Sequence, residues 1–252
     1  MGRATGEEFA AMVRPEVHAG GFARDDSSAN FYLRVNALLR PEMTVVDLGA
    51  GRGTSLLAGD NFIKRLRRLQ GKVHKVIGID VDTAINEHPC LDERHVVTVG
   101  ESYPLAPESV DLIVCDWVLE HVSEPESFAR EIARILRPGG WFCARTPNRW
   151  GYVGIATNLV PNSMHTGVLS RVWPERDDVD VFPTVYKMNT MRSICAQFPY
   201  PTWHNYTYFF NPPPKYHGNN PLLFALISCL QNIAPSRMKT DMIVMLRKNS
   251  ND

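Results

Sequence analysis

The stretch Val45–Ser55, VVDLGAGRGTS, decides the fold. An apolar run ending in Asp47 and Leu48 leads directly into Gly49, Gly51 and Gly53 at alternate positions. Glycine loses more backbone freedom on folding than any other residue, so this concentration needs a cause. In a strand–loop–helix unit such a loop lies at the carboxyl end of a strand, where doubly wound sheets bind ligands. Glycines there permit tight dihedrals and let a ligand approach the backbone. The helix that follows offers unsatisfied N–H groups, which suit a phosphate or carboxylate.

The flanking pattern agrees with that placement. Before the loop, Asp25–Met43 opens on capping residues and carries Phe31, Val35, Leu38 and Leu39 at helical spacing, with Pro41 as a stop. Thr44–Gly49 reads as a buried strand, and Thr54–Lys72 as a helix that Gly59 interrupts. Further strands are expected at Lys75–Asp82, His95–Glu101, Val110–Val118 and Trp141–Pro147. A helix precedes the last of these. Its signals are a capping box of Ser123 and Glu126 around Pro125, an apolar stripe of Phe128, Ile132, Ile135 and Leu136, and a stop at Pro138-Gly139-Gly140. Strands alternating with helices imply a parallel sheet covered on both faces, wound by right-handed crossovers.

From about Asn148 the periodicity is lost, and Pro, Asn, Trp, Tyr and His become frequent. Met188–Phe198 reads as a helix, and Trp203–Phe210 and Asp241–Lys248 as two late strands. Between them lies a Pro-rich loop and an apolar helix at 222–233. That helix either packs on the sheet or presents an apolar patch to a membrane surface or a second subunit.

Composition bounds the function. The chain has 252 residues, 44% hydrophobic and 21% charged, the composition of a globular domain. Lys plus Arg and Asp plus Glu number 27 each, so the basic excess of a nucleic-acid binder is absent. The basic cluster Lys64–Lys72 reads as a solvated helix face. Five cysteines stand far apart without a CxxC pair, so neither a metal site nor a disulfide framework is expected. A reduced, cytoplasmic setting follows, since no signal peptide or membrane-spanning run is evident.

The second strand narrows the ligand. It ends in Asp80, where a carboxylate can accept hydrogen bonds from ribose hydroxyls. A nucleoside with an anionic tail is implied, either NAD or S-adenosyl-L-methionine. The dinucleotide fingerprint is G-x-G-x-x-G, whereas this loop reads G-A-G-R-G. Asp47 would repel a pyrophosphate but suits ammonium and sulfonium charges, which favours S-adenosyl-L-methionine.

Four motifs in order then resemble class I S-adenosyl-L-methionine-dependent methyltransferases of the small-molecule type. They are VVDLGAGRG, VIGID, SVDLIVCDWVLEHV and LRPGGWFCARTPN, within roughly Val45–Pro147. The resemblance implies a Rossmann-like, doubly wound α/β fold with a seven-stranded, mostly parallel sheet and an antiparallel last strand. It implies one domain over 1–252, with a cofactor core at 26–147, an acceptor or lid segment at 148–190 and C-terminal strands at 191–252. By the same resemblance, Asp47, Gly49, Ala50, Gly51 and Gly53 surround the methionine part of the cofactor. Asp80 binds the ribose, Val81 packs beside the adenine and Glu101 lies near its amino group. Asp116 and Trp117 border the methyl-transfer site.

The catalytic candidates are His121 and His165 as general base, with Asp116 orienting substrate or cofactor. The expected acceptor is small, a sugar hydroxyl on a glycan or glycolipid precursor. A quinone or secondary metabolite is the alternative within the class. A catalytically silent cofactor-binding subunit and an NAD-dependent oxidoreductase are alternatives outside it.

Overall fold

The structure is a computed structural model and describes residues 6–56, 61–152, 183–214 and 217–250. Its frame is a sheet of order β3-β2-β1-β4-β5-β8-β6, with β7 also paired to β8. The strands are β1 (Thr44–Leu48), β2 (Lys75–Asp80), β3 (Glu93–Val96), β4 (Val110–Asp116), β5 (Leu136–Pro147), β6 (Trp203–Asn205), β7 (Tyr208–Phe210) and β8 (Asp241–Lys248). The pairs among β1 to β5 are parallel, β8 runs antiparallel to β5, and β6 and β7 run antiparallel to β8. The strand order reverses between β1 and β4. In a doubly wound sheet that switch point is where the loops part and a ligand enters.

Alternation along β1 shows why the sheet is buried on both sides. Val46 and Leu48 join one apolar cluster with Ile113, Phe142 and Val244. Val45 joins the other, with Val76, Leu112, Val114 and the helical residues Phe31 and Val35. Successive strand side chains point to opposite faces, so an unbroken apolar run satisfies two cores. Helix α1 spans Gly6–Val13, and α2 spans Ser27–Leu38. Asp26 caps α2 by accepting the Ala29 N–H at 2.8 Å.

Several boundaries differ from the sequence expectation. The expected helix at 54–72 reduces to a 3-10 turn at Thr54–Leu56 and a short α3 at Phe62–Arg67, with 57–60, including Gly59, outside the described residues. Asn61 caps α3, and the chain turns extended at Arg68. Strand β3 lies earlier than 95–101 because its partner β2 ends at Asp80, which pairs with Val96. The capping box of Ser123 and Glu126 does not form. Glu124 is the N-cap of α4 (Pro125–Ile135) and makes no side-chain capping bond. Pro125 fills the first turn, where no N–H donor is needed. Helix α4 stops before Pro138, and Pro138-Gly139-Gly140 bulges out of β5 between the pairs Val110↔Leu136 and Leu112↔Trp141.

In the C-terminal third, α5 (Met191–Gln197) starts at a capping box of Thr190 and Ser193. The single strand expected at 203–210 is split into β6 and β7, which share the outer side of β8. The last strand in the chain, β8, is antiparallel as expected. Helix α6 (Pro221–Ile233) buries Phe224 against Phe9 and His217, while Leu222, Leu226, Leu230 and Ile233 are exposed. Among the described residues no helix is long and apolar enough to cross a membrane.

Candidate active site

A cavity of about 730 Å³ opens at the switch point, between the loops after β1, β2, β3 and β4. The glycine loop forms one wall. Gly49, Gly51 and Gly53 all adopt left-handed backbone, with φ of +73°, +57° and +66°. Side chains rarely tolerate that region, so these positions need glycine. At Gly49 and Gly53 the need is also steric. A Cβ on Gly49 would lie 2.2 Å from Val118 Cγ2, and one on Gly53 would lie 2.4 Å from His88 Cδ2. The loop therefore nests against the segments after β4 and β2 at these two positions, and its residues line the cavity.

Asp80 locks this loop to β2. Its Oδ2 accepts the Gly51 N–H at 2.7 Å, and its Oδ1 accepts the Asp82 N–H at 2.9 Å. The carboxylate is buried yet lines the cavity, together with Ala50, Val81 and Glu101. Val81 and Glu101 are exposed on the protein side, which leaves them open to a flat apolar ring and its polar edge. Asp47 stands one residue before the end of β1, behind the lining residues. Burial pushes its carboxyl up to about 7, the negative charges of Asp116 and Asp80 add to the shift, and Arg67 opposes it.

The far wall is built differently. Asp116, at the end of β4, receives both arms of the Arg145 guanidinium, Nε to Oδ1 at 2.7 Å and Nη2 to Oδ2 at 2.8 Å. Tyr32 Oη donates to the same carboxylate at 3.2 Å, and Arg67 Nη2 stands 3.8 Å from it. Burial alone would lower the pKa of Arg145, but Asp116 raises it overall, so the guanidinium stays charged. Trp117 follows in left-handed backbone at φ +61° with its ring 5.0 Å from the Arg145 guanidinium carbon. A bulky residue held at positive φ stores strain, and such strain gathers at functional sites.

His121 lines the cavity, and its Nδ1 lies 3.0 Å from the Pro183 carbonyl. A carbonyl only accepts, so this contact calls for the proton on Nδ1. His165 lies outside the described residues. Glu120 turns away from the cavity, where its carboxylate accepts from Thr146 Oγ1 at 2.9 Å. Burial pushes it up to about 7, against the hydrogen bonds that favour its charged form.

Sequence reasoning missed three members of this site: Arg67, Tyr32 and Arg145. Arg145 left a signal, since a lone arginine inside the apolar strand WFCARTP must be paired if it is buried. Arg67 left none. It belongs to a basic cluster that looks solvated, and only the approach of α3 to β4 aims it at Asp116. Among the described residues no group of three or more His, Cys, Asp or Glu could hold a metal ion.

A glycine loop, a cavity-lining carboxylate at the end of β2 and the switch point between β1 and β4 give the architecture of a Rossmann-like α/β methyltransferase fold. Residues 46–144 match the family described as methyltransferase domain. Over that span the chain is similar to class I S-adenosyl-L-methionine-dependent methyltransferases, a class whose methyl donor is S-adenosyl-L-methionine.

A probable S-adenosylmethionine-dependent methyltransferase of Mycolicibacterium smegmatis is 37% identical over 110 residues, 42% of this chain and 38% of that protein. A ubiquinone biosynthesis O-methyltransferase of Hydrogenovibrio crunogenus is 28% identical over 140 residues, 49% of this chain and 54% of that one. The chain thus spans about half the length, or less, of these relatives. An S-adenosylmethionine-dependent methyltransferase of Methanosarcina mazei shares the fold at a TM-score of 0.52 with 14% identity, covering 86% of this chain and 98% of that one.

The residues present fit the donor. Gly51 has open space on the side where a Cβ would stand, and Asp80 lines the cavity beside it. S-adenosyl-L-methionine supplies a methyl group already activated by its sulfonium.

Proposed function

We propose that this chain transfers a methyl group from S-adenosyl-L-methionine to a hydroxyl oxygen of a small acceptor. The observation that carries this reading is His121. It is a cavity-lining imidazole whose Nδ1–H is held by a backbone carbonyl, so Nε2 is the basic nitrogen. Methyl transfer from a sulfonium is an in-line displacement in which positioning does much of the catalysis. Asp80 and the glycine loop hold the nucleoside end. His121 Nε2 takes the hydroxyl proton as the acceptor oxygen becomes nucleophilic. Asp116, clamped by Arg145, acts as a positioning residue that fixes the wall on which the acceptor rests.

A hydroxylated aromatic acceptor of quinone-precursor type is the first reading. Its support is the apolar lining from Val97, Val99, Trp117, Val118 and Phe128, and the O-methyltransferase named among the relatives. A sugar hydroxyl is the second reading, favoured by Trp150, which is 59% exposed just after β5 and available to stack on a sugar face. Most of the segment expected to bind the acceptor, 153–182, lies outside the described residues.

The test is turnover of S-adenosyl-L-methionine with hydroxylated aromatics and with sugars. His121→Gln is expected to lower kcat by about a hundredfold or more while leaving cofactor affinity within about twofold. Cofactor binding without turnover on any acceptor would instead favour a silent binding subunit. Tight NAD binding would overturn the reading.

A further inference from the structure

Helix α6 is built inside out. One side buries Phe224 and Gln231, seven residues apart. The opposite side carries Leu222, Leu226, Leu230 and Ile233, which fall on one stripe at about 100° per residue. Their exposures are 81%, 57%, 53% and 73%. A helix that settles on its own protein core buries its leucines and exposes its glutamine. Specific contacts hold this one the other way round. Asn211 Nδ2 donates to the Gln231 carbonyl at 2.9 Å, and Gln231 Nε2 reaches the Pro212 carbonyl and Thr240 Oγ1, both at 3.4 Å. Phe224 is gripped by Phe9, by His217 and by the Arg14 guanidinium 5.0 Å above its ring. Rotating the leucines inward would break all of these.

The charge along the chain on either side of α6 indicates what covers the stripe, although α1, which packs on the buried side through Phe9, carries Glu8. The chain carries as many acids as bases, yet no Asp or Glu occurs between 181 and 240, where Lys187, Arg192, Lys215, Arg237 and Lys239 stand. Arg237 and Lys239 lie four and six residues beyond the carboxyl end of α6, flanking Met238, itself 44% exposed. A two-fold contact with a second copy through α6 would set these cations near their own kind. An anionic lipid surface answers both features at once, since acyl chains take the leucines and headgroup phosphates take the cations.

We infer that α6 is an interfacial helix that docks this protein on an anionic membrane. Leu222, Leu226, Leu230 and Ile233 lie at the headgroup–acyl boundary, with Arg237 and Lys239 against lipid phosphates. At 13 residues the helix is too short to span a bilayer and lies in its plane. Its position is set by Asn148, the first residue after β5, whose Nδ2 donates to the carbonyls of Arg237 at 2.8 Å and Lys239 at 2.7 Å. That ties the end of α6 to the same edge of the sheet that carries the cavity. If the methyl-transfer reading holds, an apolar acceptor reaches the site from the lipid phase.

The experiment is co-sedimentation with vesicles of phosphatidylcholine alone and of phosphatidylcholine with phosphatidylglycerol. Binding is expected on the anionic vesicles and at least about tenfold weaker on the neutral ones. The pair Leu226→Glu and Leu230→Glu is expected to abolish it. The pair Arg237→Gln and Lys239→Gln is expected to weaken it about tenfold and to flatten its salt dependence. Both pairs lie on the surface, so the melting temperature and calorimetric affinity for S-adenosyl-L-methionine should match wild type and exclude misfolding as the cause. The inference falls if folded wild type ignores both vesicles, if the leucine pair still binds, or if sedimentation velocity shows a dimer that the leucine pair dissolves. None of these readouts uses turnover, so failure here leaves the methyl-transfer reading standing.

Discussion

At the carboxyl end of β2, Asp80 spends its two oxygens on backbone N–H groups of Gly51 and Asp82. At the carboxyl end of β4, Asp116 spends its two oxygens on the guanidinium of Arg145. Both are buried acids at strand ends, on facing walls of one cavity. The first fixes a loop while keeping its carboxylate beside the ligand space. The second is neutralised inside the protein and holds a wall in place. Position in the sheet made the two look alike, and their partners made them different. The β2 wall should therefore answer to changes in cofactor affinity, and the β4 wall to changes in stability.

The largest expected effect breaks the second wall. Arg145→Ala leaves Asp116 buried without its cation and should cost about 4 kcal/mol of stability by urea unfolding. A loss below about 1 kcal/mol would mean that Tyr32 and Arg67 suffice to hold the carboxylate. Gly49→Ala comes next, because left-handed backbone and the collision with Val118 act together. It should cost about 3 kcal/mol, and an unchanged melting temperature would show that the loop can move away from β4.

Asp80→Asn sharpens the comparison from the other side. It removes the charge but keeps the shape, so affinity for S-adenosyl-L-methionine should fall about tenfold by calorimetry with little change in melting temperature. A large stability loss with unchanged affinity would make Asp80 a structural acid like Asp116.

The smallest effect concerns Asp47, which burial raises from its ordinary 3.8 to about 7. A raised folded-state value favours the protonated form, so its contribution to stability is complete below the unfolded-state value. It is lost as pH rises through about 7. Asp47→Asn should leave stability at about pH 4 unchanged and raise it at about pH 8. Glu120 titrates in the same range, so some pH dependence will persist in the variant. Equal effects at both pH values would refute the buried-acid account of Asp47.

Much of the core was legible because its signals are local. The glycine loop and the strand ends at Asp80 and Asp116 follow from short patterns in the chain, and the antiparallel β8 from the family resemblance. The errors fell where a local signal competed with a tertiary one. Ser123 and Glu126 have the spacing of a capping box, yet Pro125 begins the helix and Glu124 takes the cap position without a side-chain bond. His95–Glu101 has a strand's composition, but a strand needs a partner, and β2 stops at Asp80. The run at 203–210 looks continuous but divides into β6 and β7 along β8.

The sequence by itself determined the fold class and the glycine-loop wall of the cavity, because both depend on backbone freedom at glycines and on the apolar period of strands. Only the tertiary structure decided the other wall and the face of α6. Whether Arg67 is solvated or faces Asp116, and whether a leucine stripe points inward or outward, depends on what the fold packs beside them. Electrostatic partners and burial arise between segments distant in the chain, and no local pattern encodes them.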